Sequence, residues 1–140
     1  MLVNPGVNIT AGLQYDEIEK LFVESFKNAK YRITKRDQGR IQMRHGWEKV
    51  DLLTRIDIIN LALLIPGTAE HANVAEAYLK YVHSNDNETT VRVIFRPITS
   101  HFSSIRYHEE AMSEFMQKLQ HAAENVSVSE ETSTKKKELW

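Results

Sequence analysis

Residues 31–45, YRITKRDQGRIQMRH, predict a β-hairpin, and this hairpin decides the fold class. Two segments of alternating side chains flank residues 37–39 (DQG), which have the composition of a tight turn. We predict a three-residue loop with a bulge, in which Gly39 takes a left-handed conformation because it has no Cβ to clash. The cross-strand pairs expected in this register are Ile33 with Met43, Arg32 with Arg44, and Arg36 with Arg40.

The hairpin also concentrates positive charge. Residues 27–55 contain nine Lys and Arg against three Asp and Glu, although the whole chain has a net charge of −1. Like charges directly opposed across two strands destabilise a sheet. Solvent and salt, acidic groups on a neighbouring element, or an anionic partner could relieve them, and cations also protect a solvated sheet edge from aggregation. The candidate partner-binding or anion-binding residues are Arg32, Lys35, Arg36, Arg40 and Arg44.

Helices are predicted on both sides of the strand region. Apolar residues recur with helical spacing before the hairpin, and Asp16 and Glu17 would lie in the first turn, where negative charge complements the helix dipole. A second helix is predicted over about 107–124. The apolar positions of the two helices are Ile18, Leu21, Phe22, Phe26, Ala29, Met112, Phe115, Met116, Leu119 and Ala123.

Three further strands are predicted. A third strand is expected at about 50–59, followed by a loop at 66–72. Residues 89–97 alternate between apolar and polar side chains and predict a strand. Residues 74–83 fit either a helix or a strand, and the turn residues that follow them favour a strand paired with 89–97.

These elements predict an α+β fold. The expected order is α-β-β-β-β-β-α, an antiparallel sheet of about five strands with N- and C-terminal helices packed on one face. Residues 1–12 are expected to be a lead-in segment, 13–125 a single domain, and 126–140 a disordered tail.

The inventory of catalytic residues is sparse. The chain has no cysteine, and its five glycines are too dispersed for a phosphate-binding loop. Its six histidines are scattered and lack the spacing of a metal-binding helix. We therefore predict a non-enzymatic protein with no catalytic residues, no metal site and no cofactor.

Residues 13–45 resemble the opening of small bacterial periplasmic lipoprotein domains, including those accessory to outer-membrane assembly. In these domains a helix precedes a strand of the form Tyr-x-Ile and a turn with Asp and Gly, as at Tyr31, Ile33, Asp37 and Gly39 here. The resemblance implies a non-catalytic role in an envelope assembly and transfers no functional residues. Residues 1–140 depart from the pattern because they include no cysteine to bear a lipid, and we expect no signal sequence at residues 1–6.

The leading functional hypothesis is an interaction domain with a protein partner, which binds at the open sheet face or at the edge near the hairpin. Nucleic-acid or phosphate binding through the basic hairpin 30–45 is one alternative, and a carrier of small apolar ligands or lipids is another. No apolar run reaches the roughly 18 residues of a membrane span. The expected location is periplasmic if a signal sequence was removed, and otherwise cytoplasmic.

Overall fold

The computed structural model describes residues 2–46, 74–98 and 102–140, with the side chains of 102–104 left aside. The strand predicted at 50–59 and the loop at 66–72 lie outside the described residues. The elements are β1 (Pro5–Ala11), α1 (Tyr15–Asn28), β2 (Arg32–Asp37), β3 (Arg40–His45), β4 (Ala75–Ser84), β5 (Thr89–Pro97), α2 (Phe102–Ala122), β6 (Val126–Val128), β7 (Thr132–Ser133) and a 3₁₀ turn (Lys136–Glu138).

The fold is α+β with an antiparallel sheet, as predicted, but the sheet is larger and its order differs. The strands of the described part run β2-β3-β4-β5-β1-β6, and β7 also pairs with β1. The additional strands come from the segments 1–12 and 126–140. Strand β1 precedes α1 and strands β6 and β7 follow α2, so neither helix is at an end of the element order. Residues 74–83, which fit either a helix or a strand in the sequence, form strand β4.

Strand β1 lies between β5 on one side and β6 and β7 on the other. Its sequence contains Pro5 and Gly6, which are common in turns and uncommon within strands. The alternation of Val7, Ile9 and Ala11 is nevertheless that of a strand with one buried face, and Ile9 and Ala11 are fully buried. Because this alternation spans only a few residues and follows turn-forming residues, the sequence predicted a lead-in segment here and not a strand.

The core lies between one face of the sheet, called here the helix face, and the two helices. Side chains of α1 and α2 belong to one cluster with alternate residues of β1, β3, β4 and β5. Phe22 packs on Phe26 with ring centroids 4.3 Å apart and meets Phe115 of α2 edge-to-face at 5.5 Å. The helices therefore bury their apolar stripes on the helix face. The opposite face of the sheet, called here the outer face, is not covered by α1 or α2.

The hairpin register agrees with the prediction near His45 and departs from it near the turn. Arg32 pairs with Arg44 and Ile33 with Met43, and Gly39 has the expected left-handed φ of +80°. The extra residue is Thr34, which bulges between Ile33 and Lys35, and strand β2 extends through Asp37. The remaining pairs are Lys35 with Gln42, Arg36 with Ile41, and Asp37 with Arg40.

The bulge removes a repulsion that the predicted register contained. Because of it, Arg36 turns to the helix face, where its Nε lies 2.9 Å from Oε1 of Glu19 in α1. Arg40 is now opposite Asp37, and its guanidinium lies 3.2 Å from that carboxylate. The expected opposition of Arg36 and Arg40 is thus replaced by two ion pairs, and this charge pairing favours the shifted register.

Candidate anion-binding face

The outer face of strands β2 to β5 is strongly basic. The antiparallel register aligns its side chains in rows that run across the strands. Two carboxylates, Asp37 and Glu76, accompany seven cations on this face. The cations are Arg32, Lys35, Arg40, Arg44, Lys80, Arg92 and Arg96. A chain with a net charge of −1 therefore has one sheet face with a clear excess of positive charge.

Glu76 lies at the centre of one of these rows and is 4% exposed. Its Oε1 accepts hydrogen bonds from Arg96 Nη1 at 2.7 Å and from the Tyr78 hydroxyl at 3.1 Å. Its Oε2 accepts one from the Gln42 side-chain amide and lies 3.5 Å from Arg44 Nη1. Burial, followed by the charge of Glu76, raises the pKa of Tyr78 to about 12, so this hydroxyl remains a donor. Both carboxylate oxygens are therefore occupied within the protein.

A second row consists of Arg40, Lys80 and Arg92 on three adjacent strands. Within residues 2–46, 74–98 and 102–140, neither Lys80 nor Arg92 forms an ion pair with a carboxylate. Burial, followed by repulsion from Arg40, lowers the pKa of Lys80. The row therefore places three cations side by side, with the carboxylate of Asp37 paired to Arg40 at one end and that of Glu138 acting on Lys80.

The segment 129–140, called here the C-terminal strap, crosses this row. Nζ of Lys80 donates to the carbonyl of Glu138 at 2.6 Å, and Nη1 of Arg40 donates to the carbonyl of Trp140 at 2.8 Å. The indole ring of Trp140 lies 4.5 Å from the guanidinium carbon of Arg40, within cation–π range. Leu139 is 3% exposed and packs with Tyr78 and the outer-face residue Ile94. The strap is thus held by cations that donate to its backbone oxygens and by one apolar anchor.

Arg92 forms hydrogen bonds with the N-terminal part of the strap. Its Nη2 donates to the hydroxyls of Thr132 at 2.8 Å and Thr134 at 2.9 Å. To reach them the guanidinium passes over Gly6 of β1, where an added Cβ would come within 2.7 Å of Nη2. Glycine at this position therefore permits the close approach between strand and side chain.

A cleft of about 360 Å³ opens between the strap and the sheet. Its lining residues are Lys35, Gln42, Arg44, Glu76, Tyr78, Arg96, Lys136, Leu139 and Trp140. Four of these side chains are cationic and one is a carboxylate that already has two arginine partners. The cleft can therefore accept a negatively charged group at its mouth, where Lys35 and Lys136 are exposed.

The five predicted site residues do not all lie together. Arg32, Lys35, Arg40 and Arg44 are on the outer face, and two of them, Lys35 and Arg44, line the cleft. Arg36 lies on the helix face with Glu19 and takes no part in the cleft.

The sequence prediction did not include Lys80, Arg92, Arg96 or Trp140 in the site. The alternation of residues 89–97 places Arg92 and Arg96 on one face of a strand, and this is a usable signal. The position of Trp140 has no such signal, because nothing local in the strap indicates which surface it covers.

The described residues contain no group of three or more His, Asp or Glu side chains placed to hold a metal ion. No helix in the described ranges is both long and apolar enough to cross a membrane. No protein-family model matches the sequence, and no curated protein matches it. The resemblance to periplasmic lipoprotein domains therefore stays a prediction.

Proposed function

We propose that this chain is a non-enzymatic binding domain that takes an extended acidic segment of a protein partner on its outer sheet face. The observation that carries the proposal is the charge of the cleft beside the strap. Arg44 and Arg96 share the single carboxylate, while Lys35 and Lys136 at the mouth have no acidic partner within the described residues. An acidic side chain at the mouth would gain two cations and displace little else.

The contacts of the strap support a polypeptide as the partner. Lys80 and Arg40 already donate to backbone oxygens of the strap at and just after its 3₁₀ turn, and Leu139 packs beside them on Tyr78 and Ile94. A peptide with acidic residues around one apolar anchor would use the same kinds of contact. Because these contacts are largely made to the backbone, sequence preference would come from the charges and the anchor.

A nucleic acid is the second candidate, since the same cations would attract phosphates. Single-stranded nucleic acids usually stack on several exposed rings, whereas the cleft offers the ring of Trp140 and a Tyr78 whose hydroxyl is bonded to Glu76. The protein partner is therefore preferred, and the resemblance of residues 13–45 supports placing it in a bacterial envelope assembly.

The test is binding of a fluorescein-labelled octaglutamate peptide, followed by anisotropy. We expect binding at low salt that weakens as the ionic strength rises, because exposed charges are screened over about 10 Å at 0.1 M salt. The double variant Lys35→Glu/Lys136→Glu should lower the affinity at least about tenfold by turning attraction into repulsion. The matched control is Lys20→Glu/Lys27→Glu on α1, which changes the net charge equally and should have little effect.

Two results would count against the proposal. Equal loss of affinity in both double variants would show that net charge, and not this face, governs binding. Absence of peptide binding to the unmodified chain at low salt would contradict the proposed function. Tighter binding of a labelled ten-nucleotide oligothymidine than of octaglutamate, lost in Lys35→Glu/Lys136→Glu, would give the function to the nucleic-acid alternative.

A further inference from the structure

A second cavity lies on the opposite side of the sheet from the cleft. It has a volume of about 430 Å³, is open to solvent on one side, and is bounded by α2, by β1 and β5, by Leu2 before β1, and by residues at and beyond β6. Ten of its thirteen lining residues are apolar, namely Leu2, Pro5, Val7, Val93, Phe95, Pro97, Ile105, Met112, Met116 and Val128. Leu2 and Val128 are 41% and 50% exposed, so apolar surface continues to the solvent. Such a lining is typical of a small-molecule site.

The polar residues that line the cavity are His108, Glu109 and Glu131. His108 stacks on Phe95 with ring centroids 4.2 Å apart, and its Nδ1 is sealed from solvent without a hydrogen bond. The two glutamates are exposed. Among the described residues no lysine or arginine lines the cavity, so every full charge that these residues place on its lining is negative.

The size of the cavity limits the ligand. If each non-hydrogen atom takes about the volume of a water molecule in the liquid, ~30 Å³, the cavity holds about 14 atoms at most. An unbranched chain of about ten carbons with one polar end fits this limit. Methionines 112 and 116 can adjust to such a chain because their side chains are flexible.

We propose that this cavity binds a cationic amphiphile, an aliphatic chain that ends in an amine. The chain replaces water along the apolar lining, and the ammonium group remains at the rim near Glu109 and Glu131. A carboxylate of equal length meets two negative charges and, in the described part of the chain, no compensating cation, so the same cavity disfavours fatty acids. This site is independent of the anion-binding face, since the two share no lining residue.

Titration calorimetry of the full chain with 1-aminodecane, 1-decanol and decanoate tests the proposal. These probes share one apolar length and differ in the charge of the end group. We expect the amine to bind best, the alcohol less well, and decanoate at least about tenfold more weakly than the amine. All three should lose affinity in Met116→Trp, which fills part of the cavity, provided that its circular dichroism and melting temperature show a folded protein.

The charge of the rim is tested with matched pairs of variants. Glu109→Gln/Glu131→Gln removes the two lining carboxylates and should abolish the preference for the amine over decanoate. Glu110→Gln/Glu130→Gln removes two carboxylates that are sequence neighbours of these and do not line the cavity, and it should preserve the preference. Equal binding of amine and decanoate to the unmodified chain, equal effects of the two double variants, or no binding of any probe would each overturn the proposal.

Discussion

Glu76 is the residue that organises the outer face. It is one carboxylate among several cations, and it accepts a hydrogen bond from Arg96 while lying within ion-pair distance of Arg44. A buried charge is tolerated only where such partners replace the lost water. Because the Glu76 carboxylate is already paired with Arg96 and Arg44, it does not neutralise the lysines at the cleft mouth. These lysines can therefore attract a negatively charged group from outside the protein.

His108 is the residue whose ionisation should govern stability at mildly acid pH. Burial lowers the pKa of His108 to about 3, whereas an unfolded histidine has a pKa of about 6.5. As the pH falls below 6.5, His108 takes up a proton in the unfolded chain but stays neutral in the folded chain. The free energy of unfolding should therefore drop by up to about 2 kcal/mol between pH 7 and pH 5.

Urea denaturation at pH 7 and pH 5 checks this prediction. The variant His108→Phe should lose less stability between the two pH values, because it has no proton to take up at this site. The exposed His121 provides the control, and His121→Gln should follow the unmodified chain. An unchanged pH dependence in His108→Phe would contradict the expected titration.

At the scale of elements, the sequence predicts the residues that form a helix or strand better than it predicts the register in which two strands pair. Helix α1 and strand β5 have a clear apolar period. The helix lies before the hairpin as predicted, and β5 spans the predicted residues 89–97. The sequence prediction missed the bulge at Thr34, which turns Arg36 toward Glu19, a residue of a different element. A long-range charge pair of this kind leaves no periodic pattern in the hairpin itself.

The C-terminal strap illustrates the same limit, and its docking can be measured. Leu139 is 3% exposed against the sheet, so Leu139→Ala should lower the free energy of unfolding by about 2 kcal/mol. Val82→Ala removes a side chain that is 43% exposed and should cost less than about 0.5 kcal/mol. If the two variants were equally stable, the strap would not be packed on the outer face in solution.

For the whole molecule, the sheet separates two kinds of surface. The helix face holds the aromatic core and the apolar cavity, and the outer face holds the ionic rows and the cleft. A negatively charged partner and a positively charged amphiphile would therefore bind on opposite sides of one sheet. This separation follows from alternation along β3, β5 and the part of β4 before its bulge at Tyr81–His83, which sends every second side chain to the other face.

The strand that joins the two halves of this sheet is β1, and the stability of the molecule should depend on it. Ile9 is fully buried and lies opposite Val91 of β5 and Val128 of β6. We expect Ile9→Ala to lower the free energy of unfolding by about 3 kcal/mol, measured by urea denaturation followed by fluorescence and circular dichroism. Both signals should change together, since the loss of this strand exposes the common core.

Val3→Ala is the matched control, because Val3 is 65% exposed and lies two residues before β1. It should leave the denaturation midpoint nearly unchanged, within about 0.5 kcal/mol. If residues 1–12 acted only as a lead-in segment, Ile9→Ala would cost as little as Val3→Ala. A difference of several kcal/mol between the two variants would instead place β1 within the cooperative core, because a fully buried isoleucine leaves a cavity that the surrounding strands cannot close.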